Sequence, residues 1–175
     1  RKNDEQKIVK KSVKQIDGTN ILEYSIVINP EGKDLLAGAD TLTLTDILTK
    51  DNYVSNGLFI PSLVPGSVHV YRLDENRNKV MPALSDELCP YTYNENMEYG
   101  GWQNDHLNCQ NELIITIPDS MPLQVEYRYK INTNKSMEEM GANYWVEGFN
   151  NVVHLNGVSD SASDKVENTK VHIQS

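Results

Sequence analysis

The stretch GFNNVVHLNG, Gly148 to Gly157, follows Tyr144, Trp145 and Val146 and reads as a β-strand. Alternate residues of a strand share a face. Val153 and Leu155 then point the same way, inward, and Asn151 lies in register with them. A primary amide in a core is costly, because a buried amide without partners loses roughly 1–3 kcal/mol. Something must satisfy this amide or consume it.

The rest of the chain repeats the strand signal. In KIVKKSVKQ, Val9, Lys11 and Val13 share a face. After the turn DGTN, Asp17 to Asn20, the run NILEYSIVIN alternates through Leu22, Tyr24, Ile26 and Ile28. DTLTLTDIL places Leu42, Leu44 and Asp46 on one face. GSVHVYRL and KVMPAL flank the polar turn DENRNK, which predicts a hairpin, and ELIITIP and LQVEYRYKI flank DSMP, which predicts another. GKDLLAG and NKSMEEMGA read as helical turns at most. Many short strands with turn chemistry between them predict an all-β, immunoglobulin-like β-sandwich, not a β-α alternation. We expect one domain over residues 1–175, with a loop insertion at about 89–109 and a final strand at about 169–175.

Composition narrows the function. The chain has 175 residues, 23% of them charged, a net charge of −9 and a mean hydropathy of −0.54. The acidity argues against nucleic acid, whose binding needs a basic surface to release counterions, and against anionic membrane surfaces. No apolar run is long enough to insert into a bilayer. The opening RKNDEQKIVKK has neither a signal peptide nor an initiator Met and is expected to be cut from a longer chain. G-x-S-x-G and Gly-rich phosphate loops are absent, and the four histidines are scattered, so an enzyme with turnover finds no support.

The segment CPYTYNENMEYGGWQNDHLNC, residues 89–109, has no periodicity and reads as a long loop. Cys89 and Cys109 either pair across it, which needs an oxidising compartment, or stay free. A zinc site of both cysteines with His106 lacks a fourth ligand, so no metal is assigned. Tyr91, Tyr93, Tyr99 and Trp102, among Asn and Gly, make this loop a candidate recognition surface for a host protein or glycan. DENRN, Asp74 to Asn78, begins like a calcium loop but lacks its Gly and distal Glu. No cofactor is expected.

Three polar residues occupy inward strand positions: Lys11, Asp46 and Asn151. If they meet in a dry core, desolvation disfavours their charged forms, lowering a lysine pKa and raising a carboxyl pKa. A neutral amine is a nucleophile, and a protonated carboxyl can polarise an amide oxygen. Held together, the three could form a Lys–Asn isopeptide bond with loss of ammonia, once per molecule. Lys10 and Asn150 are the off-register alternatives. The plainer reading is a Lys11–Asp46 ion pair beside an ordinary hydrogen-bonding Asn151.

The order of these elements resembles the stalk domains of Gram-positive surface adhesins and pilins of the collagen-adhesin A type. VKKSV resembles that family's lysine strand, NILEYSIVINPEGKDL the strand after it, and LTLTDIL its Asp-bearing strand. LVPGSVHVYRLD and ITIPDSMPLQVEYRYKI resemble its middle hairpins, and NNVVHL its late strand, with Val153 where a smaller Ala is expected. The likeness covers nearly the whole chain apart from 89–109. It implies an isopeptide between Lys11 and Asn151 assisted by Asp46. It also implies a structural module of a secreted, cell-wall-attached surface protein, whose partners are neighbouring domains of the same protein. The competing expectation is an adhesin domain that binds through the 89–109 segment.

Overall fold

Which side chains meet is decided by the alternation along each strand, and in the computed structural model, which describes residues 7–174, the alternation is kept almost throughout. β1 (Val9–Gln15), β2 (Ile21–Ile28), β9 (Leu123–Thr133), β5 (His69–Leu73) and β6 (Lys79–Val80) form one sheet in that order, with β4 (Phe59–Leu63) also pairing β9. The second sheet runs β11 (Ser163–His172), β10 (Trp145–Leu155), β3 (Thr41–Tyr53), β8 (His106–Pro118) and β7 (Tyr91–Gly100). Every pairing is antiparallel. The result is the all-β, immunoglobulin-like sandwich that the sequence predicts.

The two inner faces supply the core. Leu22, Tyr24, Ile26 and Ile28 of β2 and Leu123, Val125, Tyr127, Tyr129 and Ile131 of β9 face Leu42, Leu44 and Leu48 of β3 and Leu113, Ile115 and Ile117 of β8. Each such side chain contributes about 1.5–3 kcal/mol by leaving water. The DGTN turn joins β1 to β2, and DENRNK joins β5 to β6, both as expected. In the second turn the Asp74 carboxylate accepts the N–H groups of Asn76 and Asn78, at 2.8 and 2.9 Å.

Four expectations need correction. Residues 89–109 are not a loop: Tyr91–Gly100 is a full strand, paired residue for residue with β8. Its alternation is invisible because β7 is an edge strand whose side chains from Asn94 to Tyr99 are all exposed. At the hairpin end Gly101 takes a φ of 78°, and a Cβ there would collide with the Asp105 side chain. Secondly, DSMP is not a hairpin turn. It carries the chain from β8 in one sheet to β9 in the other, and Asp119 within it accepts the N–H groups of Leu35, Leu36 and Ser120. Thirdly, GKDLLAG holds no helical turn; NKSMEEMGA holds one, as expected, in the short helix α1 (Met137–Met140), capped by Ser136 and Glu139. Finally, the last strand begins at Ser163 and ends at His172, not 169–175, and Ser175 lies outside the described residues. Its polar first half hides it, because an outer edge needs little apolar surface.

Candidate functional site: a polar cluster between the sheets

Lys11 lies on β1 between Val9 and Val13 in the inward register, while Lys10 is exposed. Asp46 continues the inward row of Leu42 and Leu44 on β3. Asn151 does the same on β10, ahead of Val153 and Leu155. Asp46 stands opposite Val153, and Asn151 opposite Leu48. The two polar residues are therefore diagonal neighbours on one face, within reach of each other's side chains. Lys11 comes from the opposite sheet. Asn150 points the other way, accepting the N–H of Asn168 at 2.7 Å. The structure thus brings together Lys11, Asp46 and Asn151 and leaves Lys10 and Asn150 out.

Lys11 Nζ lies 2.6 Å from Asp46 Oδ2, with both side chains wholly out of water. Asn151 Nδ2 donates to Asp46 Oδ1 at 2.9 Å. Asp46 thus touches the amine with one oxygen and the amide nitrogen with the other. This differs from the expectation that the carboxyl polarises the amide oxygen: Asn151 Oδ1 is buried with no hydrogen-bond partner among the described residues. Such an orphan costs about 1–3 kcal/mol. Burial lowers the Lys11 pKa, and the Asp46 charge offsets only part of that fall.

A fourth member is Tyr127 on β9. Its hydroxyl accepts from Lys11 Nζ and donates to Asp46 Oδ2. Lys11 Nζ also sits 4.9 Å from the centre of the Tyr24 ring. Tyr24 stacks on Tyr127 at 5.6 Å, and Tyr129 meets both rings edge-on. Desolvation, reinforced by Asp46, holds the pKa of all three phenols above its ordinary value. The sequence signal for Tyr127 is its place in VEYRY: an inward tyrosine in a strand must find a partner for its hydroxyl. Asp164 is the other residue missed. Its carboxylate accepts the Lys11 backbone N–H at 2.7 Å and the Lys7 ammonium at 3.0 Å, clasping β1 to β11. It lies in NGVSDSASDKVEN, Asn156 to Asn168, a stretch of small and charged residues that reads as a loop before the expected final strand.

The other candidates fall apart spatially. Cys89 and Cys109 are both buried and both free. Tyr91 pairs Ile115 and Met97 pairs Cys109, so Cys89 lies past the Ile115 end of the hairpin. The run from Cys109 to Ile115 alone spans about 20 Å at about 3.4 Å per residue, whereas bridged Cα atoms lie within about 7 Å. Tyr91 and Tyr93 pack against the core. The Tyr93 hydroxyl accepts the Leu63 N–H at 3.0 Å and donates to Glu95 at 2.6 Å. Tyr99 and Trp102 are exposed, by 56% and 77%. Of the four aromatics, only Tyr99 and Trp102 are exposed.

No family model and no curated protein matches this chain. Among solved structures, the chain is similar to ACE19, the collagen-binding subdomain of the Enterococcus faecalis surface protein ACE. That likeness has 9% identity and a TM-score of 0.42, and it covers 99% of this chain and 100% of the other. A second likeness is to the group B streptococcus pilus 2b backbone protein, with 17% identity and a TM-score of 0.34, covering 94% of this chain and 56% of that one. One is a domain of a bacterial surface protein and the other a pilus backbone protein. At these identities and scores neither assigns a function.

Proposed function

We propose that this chain is a structural stalk module of a Gram-positive cell-surface protein, strengthened by an autocatalytic isopeptide bond between Lys11 and Asn151. The observation that carries this reading is the placement of Asp46, with one carboxylate oxygen 2.6 Å from the nucleophile and the other 2.9 Å from the leaving nitrogen. Transfer of one proton across the shorter contact leaves a neutral amine and a neutral acid. Lys11 Nζ then attacks Asn151 Cγ. Asp46 hands its proton to Asn151 Nδ2 and takes one from Nζ. The Cγ–Nδ2 bond breaks, ammonia leaves and the acid is restored. The site offers proximity and a dry surround, and the chemistry runs once, without turnover.

The product would tie β1 in one sheet to β10 in the other. It would close a loop of about 140 residues, worth roughly 4–5 kcal/mol on the loop-entropy scale used for disulfides. Force on the two termini would pass through this bridge instead of shearing strand hydrogen bonds, and a reductant would not open it. These properties suit an extracellular, cell-wall-attached stalk whose partners are neighbouring modules. No described helix is long and apolar enough to cross a membrane.

The test is the intact mass of the reduced protein. A deficit of one ammonia, absent in Lys11→Ala and Asp46→Ala, is the expected result. A full theoretical mass in folded protein would overturn the reading and leave a buried ion pair.

A further inference from the structure

The edge of a sheet presents unpaired N–H and C=O groups to any extended chain. Soluble β-proteins guard such edges with lysines, prolines, register shifts or shortness. Most edges here are guarded. β1 carries Lys10 and Lys14, β4 carries Pro61, and β6 is two residues long. β11 carries Lys165 and Lys170, and its pairing with β10 shifts register twice. β7 has no Lys, Pro or register shift, and its charged side chains, Glu95 and Glu98, disfavour an acidic strand and favour a basic one. It runs ten residues, YTYNENMEYG, in unbroken register with β8.

The direction of its free groups follows from one hydrogen bond. Thr116 N donates to Pro90 O at 2.9 Å, and antiparallel pairs alternate between bonded and non-bonded. The even residues of β7 therefore bond β8, while Tyr91, Tyr93, Glu95, Met97 and Tyr99 direct their backbone groups outward. Among the described residues only β8 pairs with β7. The sequence that carries β7 is acidic. Between Lys79 and Arg128 the chain has no Lys or Arg and eight Asp or Glu. Glu95 and Glu98 lie on β7 itself, on opposite faces. Met97 and Tyr99 share the core-facing side with Glu95 yet stay 54% and 56% exposed.

We propose that β7 is a strand-addition site for an extended, basic segment of another protein. The segment would extend the five-stranded sheet by backbone hydrogen bonds. Its Lys or Arg side chains would meet Glu95 and Glu98, and its apolar side chains would cover Met97 and Tyr99. The site is independent of the Lys11–Asn151 cross-link.

An extended decapeptide with Lys at the positions that face Glu95 and Glu98, one on each face, and Val at those that face Met97 and Tyr99 tests this on the whole protein, read by amide hydrogen exchange. Binding should slow exchange at Tyr93, Glu95, Met97 and Tyr99. The amides of Asn94, Asn96 and Glu98, already bonded to β8, should not change. Met97→Pro removes one outward N–H and leaves the β8 ladder intact, and should abolish binding. Glu95→Lys with Glu98→Lys keeps every backbone group and should weaken binding about tenfold or more; it carries the test if the proline variant unfolds. A peptide with Glu in place of Lys should not bind. The proposal is overturned by absence of binding at millimolar peptide, by binding that leaves those four amides unprotected, or by undiminished binding to the charge-reversed variant. Protection of the same amides in the protein alone, through self-association, would also overturn it by making the occupant a second copy.

Discussion

Lys11 Nζ and Asp46 Oδ2 lie 2.6 Å apart across the gap between two sheets, and neither side chain reaches water. An ion pair in such a place gains little net stability over an apolar pair, because the desolvation of both charges offsets their attraction. Removing one partner is different. Asp46→Ala would strand the buried Lys11 amine, at about 3–5 kcal/mol, and would also forfeit the roughly 4–5 kcal/mol of the cross-link, both read by urea unfolding. Lys11→Met, which removes the charge and keeps the bulk, should cost less than Lys11→Ala in the same assay.

Tyr127 and Tyr129 make a contrast from one strand. The Tyr127 hydroxyl bridges Lys11 and Asp46, whereas the Tyr129 hydroxyl is buried without a partner among the described residues. Tyr127→Phe is expected to lose about 1–3 kcal/mol and to slow ammonia loss in a time course of freshly folded protein. Tyr129→Phe removes an unpaired group and should be neutral or stabilising. Equal losses in the two variants would contradict the bridging role.

Acid stability should depend on Asp119. Burial alone would raise its pKa, but hydrogen bonds from the N–H groups of Leu35, Leu36 and Ser120 outweigh this and hold it below the ordinary carboxylate value. A depressed carboxyl pKa stabilises the fold above the unfolded-state value and loses that contribution as pH falls through the folded-state value. Asp119→Asn should therefore flatten the acid limb of a stability–pH curve. The raised phenols of Tyr24, Tyr127 and Tyr129 act at the other end. Their contribution is complete below about pH 10, the unfolded value, and is lost above it.

Both cysteines should label as free thiols once the protein is unfolded without reductant, and slowly while it is folded. Burial pushes the Cys89 thiol up to about 11, so it stays protonated at neutral pH. Quantitative alkylation under denaturing conditions checks this, and a shift in mobility on reduction would contradict it.

The inward rows were legible in the sequence wherever both faces of a strand differ. Leu42, Leu44 and Asp46 alternate with threonines, and Asn151, Val153 and Leu155 alternate with Val152 and His154, so the period of two stands out. Register alone therefore named Lys11, Asp46 and Asn151 as inward residues. The signal failed at the edges. β7 and the first half of β11 have little or no buried face, so nothing selects an apolar alternation, and both read as loop.

The sequence by itself determined which face each residue takes, because strand geometry converts spacing into direction without reference to any neighbour. Which faces meet was decided only by the tertiary structure. The crossover at Asp119–Pro122 sends β9 to the opposite sheet from β8, which sets the Tyr127 hydroxyl against Lys11 and Asp46. The unbroken β7–β8 pairing holds Cys89 and Cys109 apart and leaves one acidic edge open. Both outcomes depend on contacts between segments distant in the chain, and no local periodicity encodes them.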